Sequence, residues 1–475
     1  MVLIVDDKKI LKYSPSAFKL TNYSLPSIIT QGVRKVINFA EKSKESVQTV
    51  KQKQEGTKVS LGGWAEHLIH KGKICFLTLR DSTGKIQITG LQKKLTEDVW
   101  ERMINLNKET VVWVEGTVKR TEQAPEGIEI LPDALLILNE AQTPVPVDIS
   151  GRTPMDEGTV FEHRELTIRM PLEKAPLEVK SYVAQATREF FLERGFVEIF
   201  TPLMVATATE GGATLFPLKY FDADAYLAQS GQFYKQAAVT AHEQVFGLIP
   251  SFRMEKSRTR KHVSEFWQIE VEAAFHDHIS MMQVLEDMLV YVVNKTIDRA
   301  QEPLNLLKAS PKKLTGNFPR VTFKKCKEIL EGLDVEVPIN HEEDFSSPEE
   351  TALSHHFDTP FFITDWPTHT RGIYYRVNDA DPSISNSFDL MAPAGFVELC
   401  TGGQRVHEYD KMIQVIKNQG FNVESYDWYL NLFKYGMPPH AGYGLGIERL
   451  TWWLCELDNI KQAIMFPRTV DILRP

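Results

Sequence analysis

Apolar and polar positions alternate with a period of two along most of residues 58–140. KVSLGGWAEHL, ICFLTLRDSTGKIQITG, ETVVWVEGTVKR and GIEILPDALLIL each place one apolar face on an extended chain, and Gly, Asp-Ser and Pro break the runs. Four or five short strands in succession predict a small closed barrel over 56–140, of a type that grips oligonucleotides. The stretch that follows, NEAQTPVPVDISGRTPMDEG, is rich in proline and reads as a hinge over 141–160.

Beyond the hinge the spacing changes. In LEVKSYVAQATREFFLERG the residues Val179, Val183, Ala186 and Phe190 recur at helical intervals, and Gly195 marks a C-terminal stop. FVEIFTPLM reads as a strand ending at Pro202. AYLAQ, SFRMEK, FWQIEVEAAF, FFITDW, SFDLMAP and FVELCTGG then alternate as strands with helical segments such as MMQVLEDMLVYVVNKTIDRA and DKMIQVIKNQG. Strands clustered between helices predict an α+β domain over 161–475, an antiparallel sheet flanked by helices and not a βαβ repeat. The chain contains neither GxGxxG nor GxxxxGK[ST], so dinucleotide and P-loop binding have no support.

Composition narrows the classes. The 475 residues are 43% hydrophobic and 25% charged, an ordinary globular balance. No apolar run approaches the roughly 18–20 residues of a membrane span. The opening MVLIVDDKKILKYSPS brings charges in too early for a signal peptide. Cys75, Cys326, Cys400 and Cys455 lie far apart without CxxC spacing, which suits a reducing cytoplasm and argues against a disulfide framework or a zinc knuckle. The net charge is −9, yet residues 1–55 carry ten Lys/Arg against five Asp/Glu. This basic N-terminal extension reads either as a phosphate-seeking arm or as a solvated surface segment.

Three stretches carry candidate chemistry. In FRMEKSRTRKHVSEFWQIEVEAAF, Arg253 and Glu255 stand two apart on a strand, and Lys256, Arg258, Arg260, Lys261 and His262 fill the loop before Phe266. Such a hairpin can hold a triphosphate: one Arg grips a phosphate bidentately, the basic loop covers the rest, and Phe266 offers a face to a base. It is equally consistent with a solvated hairpin stabilised by an ion pair. In residues 442–469, Gly442, Gly444 and Gly446 allow close backbone approach before Glu448 and Arg449 open an apolar helix. In FVELCTGGQRVHEYD, Glu398 at a strand end faces Arg405 and His407 across a Thr-Gly-Gly turn, which suits a metal–phosphate complex or a structural pair.

In their order and spacing these stretches resemble the second and third signature motifs of the class II aminoacyl-tRNA synthetases, with GFVEIFTPLM resembling the first. Within the class, the chain is most similar to the aspartyl/asparaginyl subgroup, and to aspartyl enzymes of the archaeal/eukaryotic-like type. The resemblance spans about residues 58–475, an OB-fold anticodon barrel and then the catalytic domain. It implies ATP-dependent activation of L-aspartate with Mg²⁺, then transfer to the 3′ end of tRNA. It also implies that Arg253 grips the α-phosphate and the amino acid carboxylate, while Met254, Glu255 and Val263 lie along the nucleotide and Phe266 stacks on adenine. Lys261 and His262 would reach the outer phosphates, and Gly446, Ile447, Glu448 and Arg449 would close the opposite face. Glu398 would hold Mg²⁺, helped by Thr401 where the family usually has Ser. The chemistry needs no side-chain nucleophile, because the substrate carboxylate itself attacks the α-phosphorus and the protein positions and neutralises charge.

The amino acid pocket resembles that of aspartyl enzymes at Glu210, Gln232, Phe233, Tyr234 and Lys235. The resemblance implies that Lys235 and Arg405 meet the substrate's side-chain carboxylate, a pairing that a neutral amide would leave poorly satisfied. Gly231 and the TRGIYY stretch at 370–375 depart from the aspartyl pattern. L-asparagine, a non-discriminating enzyme and a synthetase-like paralogue that charges no tRNA are the alternatives. Phe76 and Gln87 match the spacing of an aromatic that stacks an anticodon base and an amide that reads its edge; the other reading makes Phe76 barrel core. Family members form homodimers through the region corresponding to 178–202, where Phe190, Phe191 and Phe196 offer apolar area. No membrane partner is implied.

Overall fold

The computed structural model describes residues 43–206, 215–254, 256 and 258–474. Most of the basic extension, together with Glu210 and Glu255, lies outside the described residues. The chain divides between Ser150 and Gly151 into two compact units.

The first unit is a closed barrel of five strands, β1 (Lys58–Lys71), β2 (Ile74–Asp81), β3 (Gly84–Leu91), β4 (Val111–Arg120) and β5 (Ile128–Asn139), arranged β1-β2-β3-β5-β4. Alternation works as expected: Cys75, Leu77 and Leu79 of β2 and Ile86 and Ile88 of β3 point into the core. Phe76 and Thr78 face outwards and pair with Thr89 and Gln87 across the ladder. The helix Glu97–Ile104, capped by the Thr96 side chain, packs Val99, Trp100 and Met103 into the same core.

The second unit is built on an eight-stranded sheet. Its elements are β6 (Val197–Glu198), β10 (Gln244–Phe252), β11 (Glu265–Ala274), β12 (Arg320–Thr322), β13 (Phe361–Pro367), β14 (Ile384–Ala392), β15 (Val397–Gln404) and β16 (His440–Gly446). They run in the order β12-β13-β14-β15-β16-β11-β10-β6, and only the two edge pairs are parallel. Three short strands, β7 (Met204–Val205), β8 (Pro217–Tyr220) and β9 (Ala223–Leu227), form a separate small sheet. One face of the large sheet carries the helices Pro171–Glu193 and His278–Arg299. The second of these is opened by a capping box between Asp277 and Ser280 and buries Met281, Leu285, Met288, Leu289, Val292 and Val293 at helical spacing. Each such side chain contributes about 1.5–3 kcal/mol by burial, so this face is committed to the core and the opposite one is left for chemistry.

Three expectations need correction. FVEIFTPLM does not run as one strand to Pro202: it gives the two-residue β6, and after Pro202 Met204 opens β7. Strand β10 begins upstream of SFRMEK and ends at Phe252, so Arg253 lies just past the strand and not on it. Phe190, Phe191 and Phe196 are buried inside the unit, with Phe191 stacked 4.9 Å from Phe246, and are not interface area. The helix turns Phe190 and Phe191 towards the sheet, and Phe196, past the helix end, packs against Phe191. The large apolar side chains this segment does expose are Leu192, Val197, Phe200, Leu203 and Met204.

Candidate active site

Along β11, Ile269, Val271 and Ala273 turn to the helices, and Gln268, Glu270 and Glu272 therefore turn to the free face. On the neighbouring β16, beyond His440 at its start, that face carries only Gly442, Gly444 and Gly446. A Cβ on Gly442 would meet the Glu272 carboxylate at 2.1 Å, and one on Gly444 would meet Gln268 Oε1 at 2.9 Å. The bare strand is what makes room for the polar side chains of β11. Above them lies a pocket of about 340 Å³.

Gln232 and Lys235 reach this pocket from the helix Gln232–His242, and Arg405 from the end of β15. Lys235 Nζ lies 2.5 Å from Glu270 Oε2, 3.4 Å from Glu272 Oε2 and 3.0 Å from the Tyr443 carbonyl. Arg405 donates to Glu272 from Nε at 2.9 Å and from Nη2 at 3.3 Å. Its Nη1 is buried and has no hydrogen-bond partner among the described residues. Burial pushes the Glu272 carboxyl up, but the charges of Arg405 and Lys235 prevail and hold it below its ordinary value. Two cations and two carboxylates thus share the floor of the pocket.

The hairpin between β10 and β11 brings Arg253, Lys261, His262, Val263 and Phe266 to the same pocket. The Arg253 guanidinium lies 5.3 Å from the centre of the Phe266 ring, and its buried Nε has no partner among the described residues. Lys261 is ion-paired with Glu350 of the helix Ser347–His356. Burial raises the Glu350 carboxyl despite that lysine. Across the pocket, Arg449 Nη1 donates to Glu398 Oε1 at 2.7 Å. Glu448 holds Lys180 at 2.5 Å and accepts the Trp267 N–H at 3.0 Å, so it anchors the helix Ile447–Leu454 to the scaffold.

Asp389 of β14 stands opposite Thr401 in the ladder and accepts from Arg371 Nη2 at 2.9 Å. Its Oδ1 is buried without a partner among the described residues. Burial, opposed by Arg371 and reinforced by the Glu398 charge, lifts Asp389 to about 7. Glu398 is also pushed up by burial, but Arg449, Arg371 and Arg253 bring it below its ordinary value. A buried carboxylate with an unpaired oxygen and a half-buried one, beside a hydroxyl, fit a hard divalent cation such as Mg²⁺.

Four residues expected in the site do not line the pocket. Phe233 stacks 4.1 Å from Tyr429, and Tyr234 stacks 5.3 Å from Trp428, because only Gln232 and Lys235, three apart, share the pocket face of their helix. Met254 is exposed, and Ile447 joins the core beneath the sheet. The pocket also contains residues the motifs did not single out: Ser230, Gln268, Glu270 and Arg371. Glu270 and Glu272 had a visible signature, two acids at strand spacing inside an otherwise apolar run. Arg371, stacked 3.9 Å from the Trp366 ring, lies in the TRGIYY stretch, which stood out only as a departure from the aspartyl pattern.

On the barrel, Phe76 is half-buried on the outer face and is not part of the core. Gln87 Nε2 donates to Glu129 Oε2 and to Thr89 Oγ1, each at 3.1 Å, and Lys119 completes the cluster at 2.9 Å from Glu129. An aromatic face beside a fixed amide is a platform for an unstacked base.

Comparison with known proteins agrees with both units. Residues 156–470 match the family described as class II tRNA synthetases (D, K and N), and residues 59–138 match the OB-fold nucleic acid binding domain. The chain is 40% identical over 432 residues to an asparagine–tRNA ligase of Pyrococcus abyssi, covering 90% of this chain and 98% of that one. It is 39% identical to an aspartate–tRNA(Asp/Asn) ligase of Archaeoglobus fulgidus, with the same coverage. The asparaginyl-tRNA synthetase of Pyrococcus horikoshii, solved with asparaginyl-adenylate, superposes with a TM-score of 0.85 at 37% identity, covering 91% of this chain and all of that one.

Proposed function

Because the chain belongs to the class II tRNA synthetases of the D, K and N group, we propose that it is an aspartate–tRNA ligase. The observation that carries this reading is the pair of buried cations, Lys235 and Arg405, at the floor of the pocket. The ammonium of a bound amino acid can replace Lys235 as the partner of Glu270. Lys235 then serves the side-chain carboxylate, and the unpaired Nη1 of Arg405 supplies a second donor. An amide in that place would leave the Lys235 ammonium only Glu272, which it already shares with Arg405, as counter-charge. The asparagine–tRNA and dual-specificity ligases among the similar proteins favour a second reading, asparagine or both amino acids. Pyrophosphate exchange with L-aspartate and L-asparagine side by side decides: aspartate is expected to be the better substrate by at least about tenfold, and a preference for asparagine overturns the reading.

In this reading the substrate carboxylate attacks the α-phosphorus and pyrophosphate leaves. Arg253 neutralises the attacked phosphate and Arg449 closes the other face. Lys261 leaves Glu350 to meet the outer phosphates, while Phe266 carries the adenine. Glu398 and Asp389, with Thr401 beside them, would hold Mg²⁺, which when bound would screen phosphate charge further. None of these residues forms a covalent intermediate.

The barrel supplies tRNA recognition. Phe76→Ala removes a stacking face worth about 1–3 kcal/mol per base, so the KM for tRNA in aminoacylation rises about tenfold or more. Pyrophosphate exchange without tRNA stays at the parent level; a parallel fall in exchange places Phe76 in the fold instead. The exposed Leu192, Val197, Phe200, Leu203 and Met204 mark the face on which a homodimer forms. Light scattering at micromolar concentration is expected to give twice the chain mass, and a monomer overturns the dimer.

A further inference from the structure

His440, the first residue of β16, is wholly buried and does not line the pocket. Its Nδ1 lies 2.8 Å from the Pro438 carbonyl oxygen and its Nε2 lies 2.7 Å from Gln236 Nε2. A carbonyl can only accept, so Nδ1 carries the ring proton. Burial pushes the imidazole down to about 4 against the pull of Glu272, so the ring is neutral near pH 7. Nε2 of a neutral ring protonated at Nδ1 can only accept, and Gln236 must therefore present its amide nitrogen to it. Gln236 Oε1 is left to accept from Tyr429 Oη at 2.9 Å and from Gln232 Nε2 at 3.0 Å. That turns the nitrogen end of Gln232 towards Gln236, with one of its two N–H groups engaged there. Gln232 Oε1, which takes no hydrogen bond among the described residues, is the end left for the pocket that Gln232 lines.

We propose that His440, Gln236 and Tyr429 are positioning residues. They form a one-way chain of hydrogen bonds, anchored on the Pro438 carbonyl, that fixes the Gln232 amide with its oxygen towards the pocket as an acceptor for the substrate ammonium. A free glutamine amide can present either end, and the nitrogen end would oppose an ammonium donor with another donor. Here each partner's hydrogen-bonding sense leaves the next only one choice. The charged and titratable groups around His440 are Glu272 of β11, Arg405 and His407 after β15, and Tyr429 of the helix Asp427–Lys434. The inference rests on the pocket being an amino acid site.

Gln236→Glu tests it with almost no change of shape, because it replaces the donor facing His440 Nε2 with an acceptor. At about pH 8 the KM for the amino acid in pyrophosphate exchange is expected to rise at least about tenfold, the scale of one mispaired buried group, while the KM for ATP stays within about twofold. As pH falls through neutrality, His440 takes a proton to serve the new carboxylate, the chain is restored, and the amino acid KM falls back. The parent shows no such trend over the same range. Tyr429→Phe, which keeps the packing but removes one donor to Gln236, raises the same KM by a smaller factor. Gln236→Glu with a parent-like amino acid KM at every pH overturns the proposal, as does a rise shared equally by ATP. A parent that activates neither aspartate nor asparagine refutes the reading of the pocket instead, so the two failures are distinguishable.

Discussion

Lys235→Leu is expected to lower kcat/KM for aspartate in pyrophosphate exchange by at least about a hundredfold, and for asparagine by much less. Without the ammonium, the substrate carboxylate is desolvated against Arg405 alone, and breaking a buried charge pair costs about 3–5 kcal/mol. The same substitution strips Glu270 of its partner at 2.5 Å and weakens Glu272, so the folded state loses stability as well. Thermal melting reports that part. The ratio of the two amino acids reports the other, because a purely structural lysine would depress both substrates alike. Equal losses would mean that Lys235 only neutralises β11, and the case for aspartate over asparagine would lose its main support.

Arg253→Ala abolishes adenylate formation while the melting temperature holds. A preorganised donor aimed at developing charge contributes about 10²–10³ in rate, and Arg253 also orients the attacking carboxylate. It stands beyond the end of β10 and makes no ion pair among the described residues, so its removal leaves no buried acid stranded. Exchange within tenfold of the parent would exclude Arg253 from the phosphate site.

The two units were legible because each has a strong local period. The barrel strands alternate, and the helix His278–Arg299 repeats its apolar stripe over six turns' worth of sequence. The motif residues Arg253, Lys261, Phe266, Glu398, Arg405 and Arg449 do line one pocket, although they come from segments far apart in sequence. What escaped the sequence reading depends on which way a side chain turns or on partners remote along the chain. Phe190 and Phe191 look alike as apolar area whether they face a partner or a sheet; only their phase against β10 and β11 decides, and it buries them. Lys261 meets Glu350 across 89 residues, and Arg371 meets Asp389 on a neighbouring strand, contacts without any spacing signature. Phe233 and Tyr234 share a turn with Gln232 and Lys235, yet a rotation of about 100° per residue sends them into an aromatic cluster.

The glycines of β16 bear on how substrate choice can change. A Cβ at Gly442 would run into the Val271 carbonyl and the Glu272 carboxylate, and one at Gly444 would crowd Gln268, so neither position can gain a side chain while β11 stays as it is. Mutational drift, or a laboratory library seeking a new amino acid, is therefore confined to the helix Gln232–His242 and the end of β15, where Gln232, Lys235 and Arg405 reside. Single substitutions there can revise selectivity, whereas a side chain at Gly442 requires the β11 backbone to shift and one at Gly444 requires Gln268 to move. The glycine positions 442 and 444 are thus the part of the site with the fewest one-step evolutionary exits.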